Sequence, residues 1–245
     1  MHDALSKVKL SEDKLHHRRA HDSYAAVSRG LSHGGGQTEP GELQQNVTNT
    51  RVTNELLVNE FINRFVGFTT LLLFMWAPKL AKLYHETKVA FQARMPDLQW
   101  NFARSPFAAC TFNFGPRVVT RPHLDHANLA WGWCAITALG WFNADLGGHL
   151  ILWDLRLVIR FPAGSTIFIP SAIIRHSNVP VQSHEIRSSF TQYTAGGLFR
   201  WARNGFRSNQ DFEDTATDEE KAAREAEDST RWEDGINMFS IIDEL

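Results

Sequence analysis

From Ala108 onward the sequence breaks into short apolar runs separated by Gly, Pro, Asn and Asp, and this texture constrains the fold more than any other feature of the chain. Runs near 108–114, 117–121, 134–139, 148–153, 165–169 and 187–194 read as strands. Turn signals fall at Gly115-Pro116 and at 143–148, 162–164 and 183–185. The intervals leave little room for crossover helices, so the pattern points to an antiparallel sandwich or barrel. Upstream the period changes. Leu57, Phe61, Phe65, Phe68, Leu72 and Met75 recur at spacings of three and four, one face of a helix. Pro78 suits the first position of a second helix, whose apolar face is Leu80, Leu83, Tyr84 and Phe91. The expected class is α+β with a mainly β core, the helices packed on the sheet.

The flanks differ in character. Residues 1–52 are polar and His-rich, and the stretch 32–41 is too rich in Gly and polar residues to form a core; the expectation is a mostly disordered segment. Residues 53–207 would form the main domain, with helices over 53–95 and the β core over 108–200. Residues 208–245 are an acidic tail. There Thr217 and Glu220 make a capping box, and Glu220–Arg224 and Glu227–Arg231 are favourable pairs, predicting a helix near 218–232. Its last apolar residues would dock on the domain or on a partner. The most apolar run, 66–77, is about a dozen residues, short of the roughly 20 needed to cross a bilayer, so no membrane association is expected. The N-terminus lacks a secretory pattern, and Cys110 and Cys134 lie in apolar runs as small buried hydrophobes. Both features fit an intracellular protein.

The net charge of −2 hides a strong division. Residues 91–207 carry +6, and every basic residue among them is arginine; residues 208–245 carry −10. Arginine suits phosphate, so Arg117, Arg121, Arg200, Arg203 and Arg207 are candidates for a nucleic-acid backbone or, equally, partners of local acids. The tail is expected to lie over this basic face and compete with nucleic acid.

The chemistry resides in His123-Leu124-Asp125, His176 and Arg187. In an extended segment residues i and i+2 project to one face, so His123 and Asp125 can ligate one ion together. His176, after the run 164–170, supplies a third ligand. Two imidazoles and one carboxylate with open positions are the donor set of non-haem Fe(II) oxygenases. Arg187 and Ser189 share a strand face, and the planar guanidinium can grip a carboxylate bidentately. Triad plus Arg-x-Ser is the layout of a 2-oxoglutarate-dependent oxygenase, with Fe(II), 2-oxoglutarate and O₂ as its requirements. Asn113 is a further cosubstrate contact or a partner of the local backbone. His126 has the wrong parity to join the triad, and neither it nor His149 is needed. Trp131, Trp133, Trp141 and Trp153 line a base pocket or, more ordinarily, pack.

The block from Cys110 to Trp201 also resembles the fungal branch of the TET/JBP family of Fe(II)/2-oxoglutarate dioxygenases. The matching stretches are T-F-N-F-G-P (111–116), P-H-L-D-H-A-N-L-A-W-G-W-C-A-I-T-A-L-G (122–140), G-G-H-L-I-L-W-D-L (147–155), P-S-A-I-I-R-H-S-N (170–178) and R-S-S-F-T-Q-Y-T-A-G-G-L-F-R-W (187–201). The resemblance implies a double-stranded β-helix of the jelly-roll, cupin-like kind and oxidation of 5-methylcytosine in DNA, and with it a nuclear location. By position it implies iron on His123, Asp125 and His176, 2-oxoglutarate on Arg187 and Ser189, and base contacts from Asn128 and Tyr193. Two positions depart from the animal members: Leu124 replaces an arginine and Ala195 replaces a base-contacting histidine. Both bear on base choice and leave the iron ligands intact. The alternatives are the same chemistry on another methylated base, a protein side chain or a small molecule, and a non-catalytic binding module.

Overall fold

A computed structural model describes residues 1–244. Two single-turn helices, α1 (His2–Leu5) and α2 (Glu12–Leu15), precede strand β1 (Ala25–Ser32) and the short β2 (Gly41–Glu42). Helices α3 (Val47–Leu57), α4 (Glu60–Trp76) and α5 (Pro78–Arg94) follow. The strands β3 (Ala109–Phe114), β4 (Cys134–Trp141), β5 (Leu150–Leu152), β6 (Leu157–Ile159), β7 (Thr166–Ile169), β8 (His176–Asn178) and β9 (Ile186–Tyr193) complete the core. Helices α6 (Gly196–Arg203), α7 (Asn209–Thr215) and α8 (Asp218–Asn237) end the chain.

The strands form two antiparallel sheets, a six-stranded one in the order β2-β1-β3-β9-β4-β7 and a three-stranded one in the order β6-β5-β8. Together they make the double-stranded β-helix core that the resemblance implied. Alternation along β3 and β9 divides the roles of the large sheet. Cys110, Phe112, Phe114 and Phe190 join Val27, Ile62 and Val66 in the core beneath the helices. Thr111, Asn113, Arg187, Ser189, Thr191 and Tyr193 line a cavity on the opposite face. One strand pair thus supplies both the hydrophobic anchor and the polar wall, and the register Asn113↔Ser189 and Thr111↔Thr191 fixes which is which. At Gly140, with φ +122°, an added Cβ would meet the Ile186 carbonyl at 2.2 Å, so only glycine lets β4 cross so close to the strand bearing Arg187.

Three sequence expectations need correction. Residues 1–52 are not mostly disordered: β1 pairs with β3 over six residues, with Val27 and Leu31 fully buried. The run A-A-V-S-R-G-L-S is too small and polar to announce itself, and it is held by pairing with residues some 80 positions away. The helical stretch breaks at Asn59, whose side chain accepts from the Phe61 and Ile62 amides and caps α4. The buried face of α4 is Ile62, Val66, Thr69 and Leu73, not the expected one: Phe61, Phe68 and Met75 are exposed. Two apolar stripes compete on this helix, and Gln192, which donates to Thr69 Oγ1 at 2.7 Å, lies against the buried one. No single helix among the described residues is long and apolar enough to cross a membrane.

The tail forms its helix with the expected capping box, Thr217 with Glu220. Glu220 and Glu227 pair across the fold rather than with Arg224 and Arg231, which both meet Asp228 along the helix. Arg203 meets Glu227 at 2.7 Å and Asp228 at 2.6 Å, and Arg207 meets Glu220 at 2.7 Å. Phe212 is buried beneath Arg207 and Arg224, whereas Ile236, Ile241 and Ile242 at the apolar tip are exposed.

Candidate active site

His123 and His176 are brought together by a reciprocal pair of backbone hydrogen bonds, each amide donating to the other's carbonyl at 3.0 Å. His176 opens β8; His123 lies in an extended stretch outside any named strand. Asp125 is fixed by its amide, which donates to the Ser171 carbonyl at 2.9 Å. Asn178 holds the stretch from behind: its Oδ1 accepts from the Thr120 amide and its Nδ2 donates to the Val118 carbonyl, each at 3.0 Å. Asn178 was not singled out from the sequence, although it sits two residues after His176 on the same face.

Both imidazoles donate from Nδ1 to a carbonyl two residues upstream, His123 to Arg121 at 2.7 Å and His176 to Ile174 at 2.9 Å. That leaves both Nε2 atoms as acceptors, and they stand 4.0 and 3.9 Å from the two oxygens of Asp125. Burial, reinforced by the neighbouring His176, pulls the His123 pKa down to about 4, so its ring is neutral and its lone pair free at neutral pH. The ligand atoms of His123, Asp125 and His176 lie within 4.8 Å of one another, the spacing of donors around one divalent ion. Asp125 Oδ1 is buried and makes no hydrogen bond. A carboxylate so placed fits a cation.

Arg187 lines the same cavity and is 2% exposed. Its Nη1 donates to the Val118 carbonyl at 3.1 Å, while Nε is buried without a partner. Burial lowers its pKa only to about 10, so the guanidinium stays charged at neutral pH. A buried cation with an idle donor is costly unless a ligand supplies an anion. Ser189 and Asn113 flank it, joined by Asn113 Nδ2 donating to Ser189 Oγ at 3.0 Å. The residues present therefore fit a metal and a carboxylate within one cavity.

Asn128 and Tyr193 line the same cavity, of about 260 Å³. Asn128 Nδ2 donates to Ser171 Oγ at 3.1 Å, and the Tyr193 hydroxyl is 3.1 Å from Thr111 Oγ1. Every residue chosen from the sequence as a site candidate is thus on this cavity. His126 and His149 stand outside the triad. Trp131 and Trp133 pack against the α5 core, Trp141 and Trp153 are exposed, and none of the four lines the cavity. Among the lining residues that the sequence did not single out are four near the N-terminus, Arg19, Tyr24, Ser32 and Leu43. They come from the segment expected to be disordered, and nothing in its local pattern could have placed them here.

No protein-family model and no curated protein matches the sequence. The likeness is structural. NgTET1, solved in complex with 5mC DNA, superposes with a TM-score of 0.53 at 13% identity, over 71% of this chain and 61% of that one. The chain thus spans under two thirds of the NgTET1 chain. A 2OG-Fe(II) oxygenase-family oxidoreductase from Burkholderia pseudomallei gives 0.37 at 16% identity, over 78% and 73%. A viral collagen prolyl hydroxylase from Paramecium Bursaria Chlorella virus-1, in its 2OG complex, gives 0.28 at 16%, over 35% and 57%. At 13% identity the likeness to NgTET1 is one of fold.

Proposed function

We propose that the chain is an Fe(II)/2-oxoglutarate-dependent dioxygenase that oxidises the methyl group of 5-methylcytosine in DNA, acting in the nucleus. The observation that carries the reading is one cavity lined by both a His-Asp-His donor set and a buried arginine with an idle donor. Bound Fe(II) with 2-oxoglutarate supplies activation of O₂ for insertion into a C–H bond.

The chain's own residues do the positioning. His123, Asp125 and His176 hold the metal, their rings locked by the Arg121 and Ile174 carbonyls. Arg187 and Ser189 take the far carboxylate of 2-oxoglutarate, with Asn113 holding Ser189 in place. Asn128 keeps Oδ1 without a hydrogen-bond donor among the described residues, so it can accept from the exocyclic amine of an extruded cytosine. Tyr193 forms the wall beside it.

DNA as substrate is supported by the all-arginine charge of residues 91–207 and by the fold shared with a protein solved on 5mC DNA. Arg200 is exposed and pairs with no acid among the described residues. Arg203 and Arg207 are held by the tail. Mass spectrometry of methylated duplex DNA after incubation with Fe(II) and 2-oxoglutarate tests the reading. Oxidised 5-methylcytosine is expected, and none from the His123→Ala/Asp125→Ala protein. Succinate release without DNA oxidation would move the substrate to another methylated base, a protein side chain or a small molecule.

A further inference from the structure

The segment 16–24 crosses the metal-binding end of the cavity as a strap. Arg121 donates its amide to the Arg19 carbonyl at 2.8 Å, and His21 donates its amide to the Val119 carbonyl at 2.9 Å. Ala20 forms an antiparallel bridge with Thr120, and Ala20 and Tyr24 are buried against Val118. The strap is therefore seated on the run that leads directly into His123. It is a short contact, and it sends Arg19 into the cavity.

Arg19 Nη2 stands 2.8 Å from Asp125 Oδ1. The approach lacks hydrogen-bond alignment, since Oδ1 makes no hydrogen bond. The Arg19 side chain is 38% exposed against 11% for Asp125, so the cation enters from the solvent side and the carboxylate is the fixed partner. The carboxylate and guanidinium side chains lining the cavity are Asp125, Arg19 and Arg187, with the imidazoles of His123 and His176 beside them. Among the described residues Arg19 is the one arginine or lysine that pairs with Asp125.

We propose that Arg19 is a built-in stand-in for the metal: its guanidinium satisfies Asp125 in the metal-free chain and is displaced, loosening the strap, when a divalent cation binds. The proposal rests on the reading of His123, Asp125 and His176 as a metal site. A buried carboxylate without a cation is costly, and the guanidinium relieves that cost. A divalent ion on the same oxygen would face a like charge a few ångströms away, and that repulsion sets the two cations in competition for Oδ1. Arg19 is long and partly exposed, and reaches solvent without disturbing the core. Metal loading then has two consequences. Affinity is set by competition with an internal cation, and the wall formed by residues 16–24 opens as the metal enters.

The test is calorimetric titration of Mn(II) into the full chain, wild type and Arg19→Ala, with Arg19→Lys as the charge-retaining control. Circular dichroism confirms that all three fold. The Arg19→Ala protein should bind Mn(II) about five- to tenfold more tightly, the size expected of a partly exposed charge pair, with Arg19→Lys near wild type. Amide exchange over residues 19–21 should speed up when wild type takes Mn(II), and should already be fast in metal-free Arg19→Ala. Equal affinities would overturn the stand-in, and weaker binding by Arg19→Ala would make Arg19 a supporting contact for the bound metal. Absence of Mn(II) binding in every variant would instead remove the metal reading itself.

Discussion

The two ends of the chain make an instructive contrast. The C-terminal tail carries local signals, a capping box and charges at helical spacing, and folds into the helix those signals describe. The N-terminal segment carries none, yet contributes a strand of the large sheet and four residues of the cavity lining. The tail is joined to the domain largely through partly exposed ion pairs and cation–aromatic contacts of Arg207 with Phe212 and Arg231 with Trp131, whereas the N-terminal segment is joined through a backbone ladder and buried Val27 and Leu31. Local legibility and structural weight run in opposite directions.

Substitutions at the N-terminal strand should therefore have the largest effects. At Gly30, φ is +104° and an added Cβ would lie 2.2 Å from the Ala108 carbonyl. Gly30→Ala should destabilise the protein by about 2–4 kcal/mol in urea denaturation. A near-neutral result would mean that β1 is dispensable and that the segment resembles the tail after all.

An intermediate effect concerns pH. The folded pKa of His123 is lowered from 6.5 to about 4, with burial the leading cause. Between those values the unfolded chain binds a proton that the folded chain does not, so stability falls as pH drops through that window. The metal-free protein should lose about 2–3 kcal/mol between pH 7 and pH 4 from this group. His17 and His33, both lowered chiefly by burial, act in the same direction. His123→Asn should flatten the profile in denaturation series measured across that range; an unchanged slope would show that the ring is solvated in the folded state.

The smallest stability effect is expected at the tail. Glu227→Gln with Asp228→Asn releases Arg203, and the melting midpoint should move by no more than about 2 °C. DNA binding is the more sensitive readout. If the tail competes with DNA for the arginines of α6, the double variant binds duplex more tightly at low salt and the gain shrinks as salt rises. Equal binding by both proteins would leave the tail an ordinary surface helix.

Most of the β half was readable because strand alternation and turn residues encode it locally. His123, Asp125, His176, Arg187 and Ser189 follow from ligand chemistry and the i, i+2 rule, and all line the cavity. The α4 face was misread because that helix is apolar on two sides and only tertiary packing selects Ile62, Val66, Thr69 and Leu73. Glu220 and Glu227 were expected to pair along their own helix, but Arg207 and Arg203 reach them from outside it. Arg19 and Tyr24 were not readable at all. Their place depends on contacts with residues 118–121, about a hundred positions away, and sequence periodicity contains no information at that range.

The central claim is that one cavity joins a metal triad to a carboxylate-binding arginine. Anaerobic absorption spectroscopy tests it most directly, by adding Fe(II) and then 2-oxoglutarate and following the visible charge-transfer band of a chelated 2-oxo acid. The band should form in the wild type, disappear in Asp125→Ala, and require at least about tenfold more 2-oxoglutarate in Arg187→Ala. No band in the wild type, or the same 2-oxoglutarate requirement with and without Arg187, would contradict the account.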